Sequence, residues 1–573
     1  MIKFFIKRFN GKLFPQQVAI GDFVYLYSFD SARQPHFPNI KKTEREMRGA
    51  ILKTGWVLLT FFLSSASVVV QAGSTCSGLS CFFRGQLVEQ RTSLRLSASD
   101  FSKLLGTNAT GQQLLQIAGT PRCDIEIKYF RYLTIGGAGE PTMSSAALMI
   151  PGGGASCTGP RPLMLYAHGT TTYRNYNIAD ITQTDPANGD GAGEGIAVAA
   201  IYAAQGYIVV ASNYAGYAGS PLPYHPYLNG EQQSADVIDS LRAARFAMAL
   251  PDPANKTREN GKLFVTGYSQ GGYVALATHR ALQAAGINVT ASAPGSGPYA
   301  LGAMADALVQ GEVDLGSTIF TVLVTTSYQH AYGNIYRKPG DFFEAAYAPG
   351  IENLLPSVTS MDTLFAKGKL PATQLFSSTP PASQFASLTP PLAPPLAPAE
   401  LTPLFAMGFG TANLVRNTYR LSILEDQIVN PDGAYPSPTA AMAPAASPAQ
   451  PLRQAFRRND LRNWVPRSPV LLCGGHLDPT VFFFNAAIEQ AYWKNANVPP
   501  GLTNVLDVDS APGASDPFAA VKAGFAQAKA SVATQAVQAG ATDGGLSAVL
   551  QAYHADIVAP FCMVAARGFF GNF

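Results

Sequence analysis

Two hydrophobic periods alternate along the middle of the chain. CDIEIKYFRYLTI (123–135) and SSAALMIPGG (144–153) read as two antiparallel strands. RPLMLYAHGTT (161–171) is an apolar run ending at a glycine, and GIAVAAIYAAQG (195–206) has helical spacing. YIVVASNYAG (207–216) is short and apolar, as a strand buried on both faces is. SADVIDSLRAARFAMAL (234–250) places Val237, Leu241 and Ala244 on one stripe of a helix that Ser234 can cap. GKLFVTGYS (261–269) is a further buried strand, and QGGYVALATHRALQAAG (270–286) is a helix stopped by Gly286. INVTASAPGSG (287–297) is again a strand. Strand, helix, strand, helix predicts an α/β fold, a mostly parallel sheet wound by crossover helices.

The alternation stops between residues 299 and 467, where helical pieces surround the proline-rich TPPASQFASLTPPLAPPLAPAELTP (379–403). It resumes with the strand SPVLLCGGHLDPTV (468–481), the helical FFFNAAIEQAYWK and the strand LTNVLDVDSA (502–511). An alanine-rich helical tail follows from Asp516. The division expected is a core of residues 73–298 and 468–573 with an insertion of residues 299–467. That insertion leaves the carboxyl edge of the sheet, where open parallel sheets bind ligands. A lid or cap is the expectation, and a separate binding domain the alternative.

Composition places this core outside the cytoplasm. From Met47 the chain reads as a secretory signal: Arg48 and Lys53, then an apolar stretch from Gly55 to Val70, then small residues at Val70 and Ala72. Cleavage is expected near Ala72, giving a secreted or periplasmic protein. Residues 1–46 then read as an upstream extension that is not native, or as the cytoplasmic tail of a membrane anchor. All six cysteines follow Ala72, which suggests disulfides. Cys123 with Cys157, Cys473 with Cys562 and Cys76 with Cys81 are the expected pairs. A net charge of +3 without a dense basic block in the mature chain argues against a nucleic-acid partner.

VTGYSQGGYVAL carries the chemistry. Ser269 lies between Gly267 and Gly271 where an apolar strand runs into a helix. A Gly-x-Ser-x-Gly turn there lifts the hydroxyl above the sheet, and the two glycines let neighbouring backbone pass close. A serine nucleophile needs a base. Of seven histidines, His36 precedes the mature chain, His168 and His225 sit in turns and His330 in the insertion, and His279 faces away from the turn. His554 is the base in a late loop-like Tyr-His-Ala-Asp stretch, and Asp478 is the acid after the strand that resumes the core, in the order Ser, Asp, His. Asp507, Asp509 and Asp556 are the alternative acids, and His476 is read as structural or pocket-lining. The oxyanion donors expected are the N–H groups of Gln270 and Thr170, with Gly169 allowing close approach. This chemistry needs no metal and no organic cofactor.

The combination of HGT, GYSQGG, GGHLDPTV and a late Tyr-His resembles the α/β-hydrolase fold. SNYAGYAGSPLPYHPYLNGEQQSADVIDSLRAAR (212–245) is similar to secretory lipases of the lipase-A-like family and their bacterial relatives. The resemblance spans roughly Cys123 to the C-terminus. It implies hydrolysis of carboxylic esters, acylglycerols among them, under a helical lid that would meet a lipid interface transiently. Relatives commonly carry Asp where this chain has Asn213, which puts the support of that loop in question. A peptidase or amidase of the same fold, or a non-catalytic binding protein on this scaffold, are the competing functions.

Overall fold

The computed structural model describes residues 83–573, apart from Ala254 and Leu392. The upstream extension, the signal segment and the Cys76–Cys81 pair lie outside the described residues.

β1 (Leu87–Leu96) is followed by α1 (Ala98–Leu105), α2 (Ala109–Ala118), β2 (Asp124–Ile135), β3 (Pro141–Gly152) and β4 (Gly159–Ala167). Next come α3 (Gly189–Ile201), β5 (Ile208–Ser212), α4 (Gly230–Ala249), β6 (Thr257–Tyr268), α5 (Gln270–Ala284) and β7 (Ala291–Gly295). After β7 come α6 (Leu301–Val309), α7 (Ser317–Tyr332), α8 (Met361–Ala366) and β8 (Phe376–Ser377). Then follow α9 (Thr402–Met407), β9 (Phe409–Gly410), α10 (Asn417–Val429) and α11 (Pro451–Asn459). The core resumes with β10 (Val470–Gly474), α12 (Phe484–Asn495) and β11 (Thr503–Asp507). The tail holds α13 (Ala519–Gln538), α14 (Leu546–Ala552), a π-helical turn (Tyr553–Val558) and α15 (Ala559–Phe570).

The main sheet has nine strands in the order β1-β2-β3-β5-β4-β6-β7-β10-β11. The first three pairings are antiparallel and the other five parallel, which is the α/β-hydrolase fold. Leu165, Val210 and Val265 are at most 1% exposed, so the apolar strand runs are strands covered on both faces. The parallel register aligns Ala167 with Gly267, Tyr268 with Gly295, and Gly295 with Cys473. The carboxyl ends of β4, β6, β7 and β10 therefore meet along one edge.

Some local expectations need correction. The cap of α4 is Asn229, whose side chain accepts the Gln232 N–H, while the Ser234 hydroxyl donates to the Glu231 carbonyl inside the helix. Burial explains the shift: Gln232, Gln233, Ser234 and Asp236 are all buried, so the helix keeps going upstream of the apolar stripe. β7 begins only at Ala291, which leaves Asn288 of the sequon Asn288-Val-Thr exposed before the strand. β1, α1 and α2 precede the elements the pattern announces.

Two disulfides match expectation. Cys123–Cys157 ties the start of β2 to the turn after β3, and Cys473–Cys562 ties β10 to α15 across 89 residues. Closing a loop of that length removes much unfolded-chain entropy. Replacing both Cys473 and Cys562 with serine is expected to lower unfolding stability by about 3–5 kcal/mol. Urea unfolding of the variant beside the parent reads this directly, and an unchanged midpoint would show that the bond adds nothing.

Candidate active site

β6 ends at Tyr268 and α5 begins at Gln270, so Ser269 is the single residue of the connecting turn. It has φ +61°, a strained value for a residue with a side chain. Its N–H donates to the Gly295 carbonyl of β7 at 3.0 Å, which fixes the turn to the sheet. The two glycines are required by contact. A Cβ at Gly267 would lie 2.5 Å from the Ala167 carbonyl oxygen, and one at Gly271 would overlap that same oxygen.

Three side chains that are far apart in sequence meet here. The Ser269 hydroxyl lies 2.8 Å from His554 Nε2, and His554 Nδ1 lies 2.7 Å from Asp478 Oδ2. A carboxylate only accepts, so Nδ1 carries the proton and Nε2 is left to accept from serine. The other carboxylate oxygen, Oδ1, accepts the N–H groups of Thr480 and Val481, both at 3.0 Å, so Asp478 is held from behind. The Tyr268 hydroxyl donates to the His554 carbonyl at 2.7 Å, and its ring lies 5.1 Å from the imidazole.

The alternative acids are engaged elsewhere. Asp507 faces His476 at 2.8 Å, and Asp509 accepts from Tyr553 and Lys529. His476 is therefore a partner of Asp507, whose hydrogen bond raises the imidazole pKa. Burial raises Asp556 to about 6, and its carboxylate makes no hydrogen bond to His554 among the described residues. His279 is buried against Ser292, as its helical position implied. His554 itself lies in the π-helical turn between α14 and α15 and not in a loop. That turn bulges because it spans one more residue than an α turn.

The turn after β4 lies against the serine: a Cβ at Gly169 would be 3.8 Å from Ser269 Cβ. The Gly169 N–H donates to Glu194 Oε1, so Gly169 supplies closeness and no donor. The Thr170 and Gln270 N–H groups have no acceptor among the described residues. Glu194 also accepts from Tyr166 and Tyr176, both at 2.8 Å. Tyr214 donates to the His168 carbonyl, Tyr217 donates to the Thr171 carbonyl, and Tyr227 bonds the Thr170 hydroxyl. Asn213 supports this region well. Its Oδ1 accepts the Ile178 N–H and its Nδ2 donates to Ser145, a donation Asp could not make.

His225, set aside as a loop residue, is buried beside Gln270. Its Nδ1 donates to the Ala215 carbonyl at 2.9 Å, and its Nε2 accepts from Gln270 Nε2 at 2.7 Å. Burial lowers this imidazole to about 3, so it stays neutral and orients the Gln270 side chain. His225 stands in the loop PYHPY and Glu194 in a glycine-rich helix start, and neither position by itself signals a place beside the serine.

Ser269 and Gln270 open on a cleft of about 110 Å³ that is partly open to solvent. Most of its wall comes from the segment between β7 and β10, including Met304, Val309, Phe320, Val324 and Phe376. Such a wall takes an apolar chain and leaves few polar groups to orient it.

No family model and no curated protein matches the chain. Solved structures do. The chain is similar to the rice cell wall degrading esterase LipA from Xanthomonas oryzae, with a TM-score of 0.55 and 27% identity over 77% of this chain and 95% of that one. A protein from Legionella pneumophila aligns with a TM-score of 0.52 and 18% identity over 74% of this chain and 91% of that one. Candida antarctica lipase A aligns with a TM-score of 0.41 and 13% identity over 74% of this chain and 76% of that one.

Proposed function

We propose that the protein is an exported carboxylic ester hydrolase that works through a Ser269–His554–Asp478 triad and an acyl-enzyme. The observation that carries this is the unbroken chain of hydrogen bonds from Ser269 Oγ through His554 to Asp478, at 2.8 and 2.7 Å, on a strained strand–turn–helix. Similarity to the esterase LipA supports the ester class.

In this mechanism His554 Nε2 takes the Ser269 proton as Oγ attacks the ester carbonyl. The N–H groups of Gln270 and Thr170 hold the negative charge on the former carbonyl oxygen. His554 then protonates the departing alcohol and later activates water for deacylation. Asp478 keeps the proton of the neutral imidazole on Nδ1 and stabilises the imidazolium. The insertion serves as a lid over the bound acyl group, which its share of the cleft wall supports. Two disulfides fit an oxidising compartment outside the cytoplasm.

The test is hydrolysis of p-nitrophenyl esters from acetate to palmitate, alongside labelling by a fluorophosphonate. Expected are turnover on at least part of the ladder and a single covalent adduct on Ser269. Turnover rising toward long chains would mark a lipase-like enzyme. A short-chain optimum would mark an esterase whose cleft limits length. Absence of both turnover and adduct would overturn the reading, and an adduct without ester turnover would redirect it to amides.

A further inference from the structure

Among the described residues that line the cleft there is one carboxyl group, and it comes from the segment between β7 and β10. Asp314 lies in the connection between α6 and α7 and lines the same cleft as Ser269 and Gln270. The next residue, Leu315, donates its N–H to the Pro479 carbonyl at 2.9 Å, one residue beyond Asp478. Asp314 is thus anchored to the loop that carries the proposed catalytic acid. Among the described residues its carboxyl has one hydrogen-bond partner, the Ser317 hydroxyl, which donates to Oδ1. No Lys, Arg or His pairs with it among the described residues. Ser317 and Thr321 follow on the same face of α7, so oxygen atoms run along one wall of a mostly apolar cleft.

Asp314 is 9% exposed with no cation beside it, so its second carboxyl oxygen is left to whatever occupies the cleft. Burial pushes its pKa up to about 8, and the Asp478 charge acts in the same direction. At neutral pH the group therefore carries its proton, and it can both donate and accept. A plain hydrocarbon chain leaves both capacities unused. A chain bearing a hydroxyl near the ester carbonyl uses them.

Resting on the ester-hydrolase reading, we propose that Asp314 is a specificity-determining residue that binds a hydroxyl carried by the acyl chain a few atoms from the reacting carbonyl. The substrate class is then esters of hydroxy-acids in preference to esters of simple fatty acids. The acyl side is the one concerned, because the acyl group stays seated through both half-reactions while the alcohol must leave. Sites that hydrogen-bond a substrate hydroxyl reject the analogue lacking it far more strongly than apolar pockets reject an added group.

The experiment compares kcat/KM for p-nitrophenyl 3-hydroxybutyrate and p-nitrophenyl butyrate in the parent, Asp314→Leu and Asp314→Asn. The intrinsic reactivities of the two esters cancel when the hydroxy-to-plain ratio is compared between proteins. Expected is a hydroxy-to-plain ratio about tenfold lower in Asp314→Leu and a ratio within about threefold of the parent in Asp314→Asn. A ratio unchanged in Asp314→Leu overturns the proposal. Should that variant not fold, product inhibition of the parent decides. 3-Hydroxybutyrate should inhibit more strongly than butyrate, and equal inhibition overturns the proposal. If the parent hydrolyses neither ester and its Ser269 takes no fluorophosphonate, the ester-hydrolase reading itself has failed, an outcome distinct from hydrolysis at an unaltered ratio.

Discussion

Ser269→Ala is expected to lower kcat on any ester the protein turns over by about 10⁴–10⁶-fold. The hydroxyl is the atom that would form the acyl-enzyme, and no other described hydroxyl contacts His554 Nε2. Folding should be almost untouched. Removing Oγ deletes one hydrogen bond, and the imidazole stays anchored to Asp478 at 2.7 Å. A loss of about 1 kcal/mol or less in urea unfolding is expected. Titration of purified parent and variant on the best ester of the ladder reads the first quantity, with matched unfolding curves for the second. Residual activity within tenfold of the parent would remove Ser269 as nucleophile. A variant that loses activity and stability together would leave only a structural role.

Gly271→Val should fail in the opposite way, by unfolding. A Cβ at this position overlaps the Ala167 carbonyl oxygen and would lie 2.7 Å from the His168 carbonyl oxygen. Both are backbone atoms at the end of β4, and β4 is hydrogen-bonded on both sides. Neither can step aside as a flexible side chain would. The expected cost exceeds about 3 kcal/mol, seen as a lowered urea midpoint or loss of soluble protein. Gly286→Ala is the control, since it has φ +71° with nothing within 4 Å of the added Cβ. It should cost only about 1–2 kcal/mol through its backbone conformation. Equal stability of the Gly271→Val variant and the parent would mean that the turn does not press against β4.

The buried strands and the helices between them were legible because burial on both faces requires continuous apolar runs, as in FVTGY and YIVVAS. Ser269 was legible because glycine is needed on each side of it, and His554 because few histidines follow the elbow. Other features leave no such trace. β1 is not announced by the sequence pattern because register shifts between Leu87 and Glu89 and between Thr92 and Leu94 break its alternation. The cap of α4 was misplaced because polar residues at the start of a helix read as surface, although here they are buried under neighbouring chain. Glu194 looks like one acid in a glycine-rich helix start, yet it gathers Tyr166, Tyr176 and the Gly169 N–H. Its role depends on three partners from two separate segments, which no local period records. Asp314 is hidden in the same way, since only the folded insertion brings it to the cleft.

A π turn holds one residue more than an α turn, and each residue of a helix accounts for about 100° of rotation. The turn at Tyr553–Val558 therefore sets the phase between two demands. Within it, His554 must point at Ser269. Downstream, Phe561, Cys562, Ala565 and Phe569 must face the sheet. Shortening this span by one residue would let the helix run straight, and one of the two faces would then rotate out of place. Chain length here is consequently as constrained as residue identity. α13 offers the contrast: Phe525 is its one fully buried residue, so its packing on the core fixes fewer positions along its length.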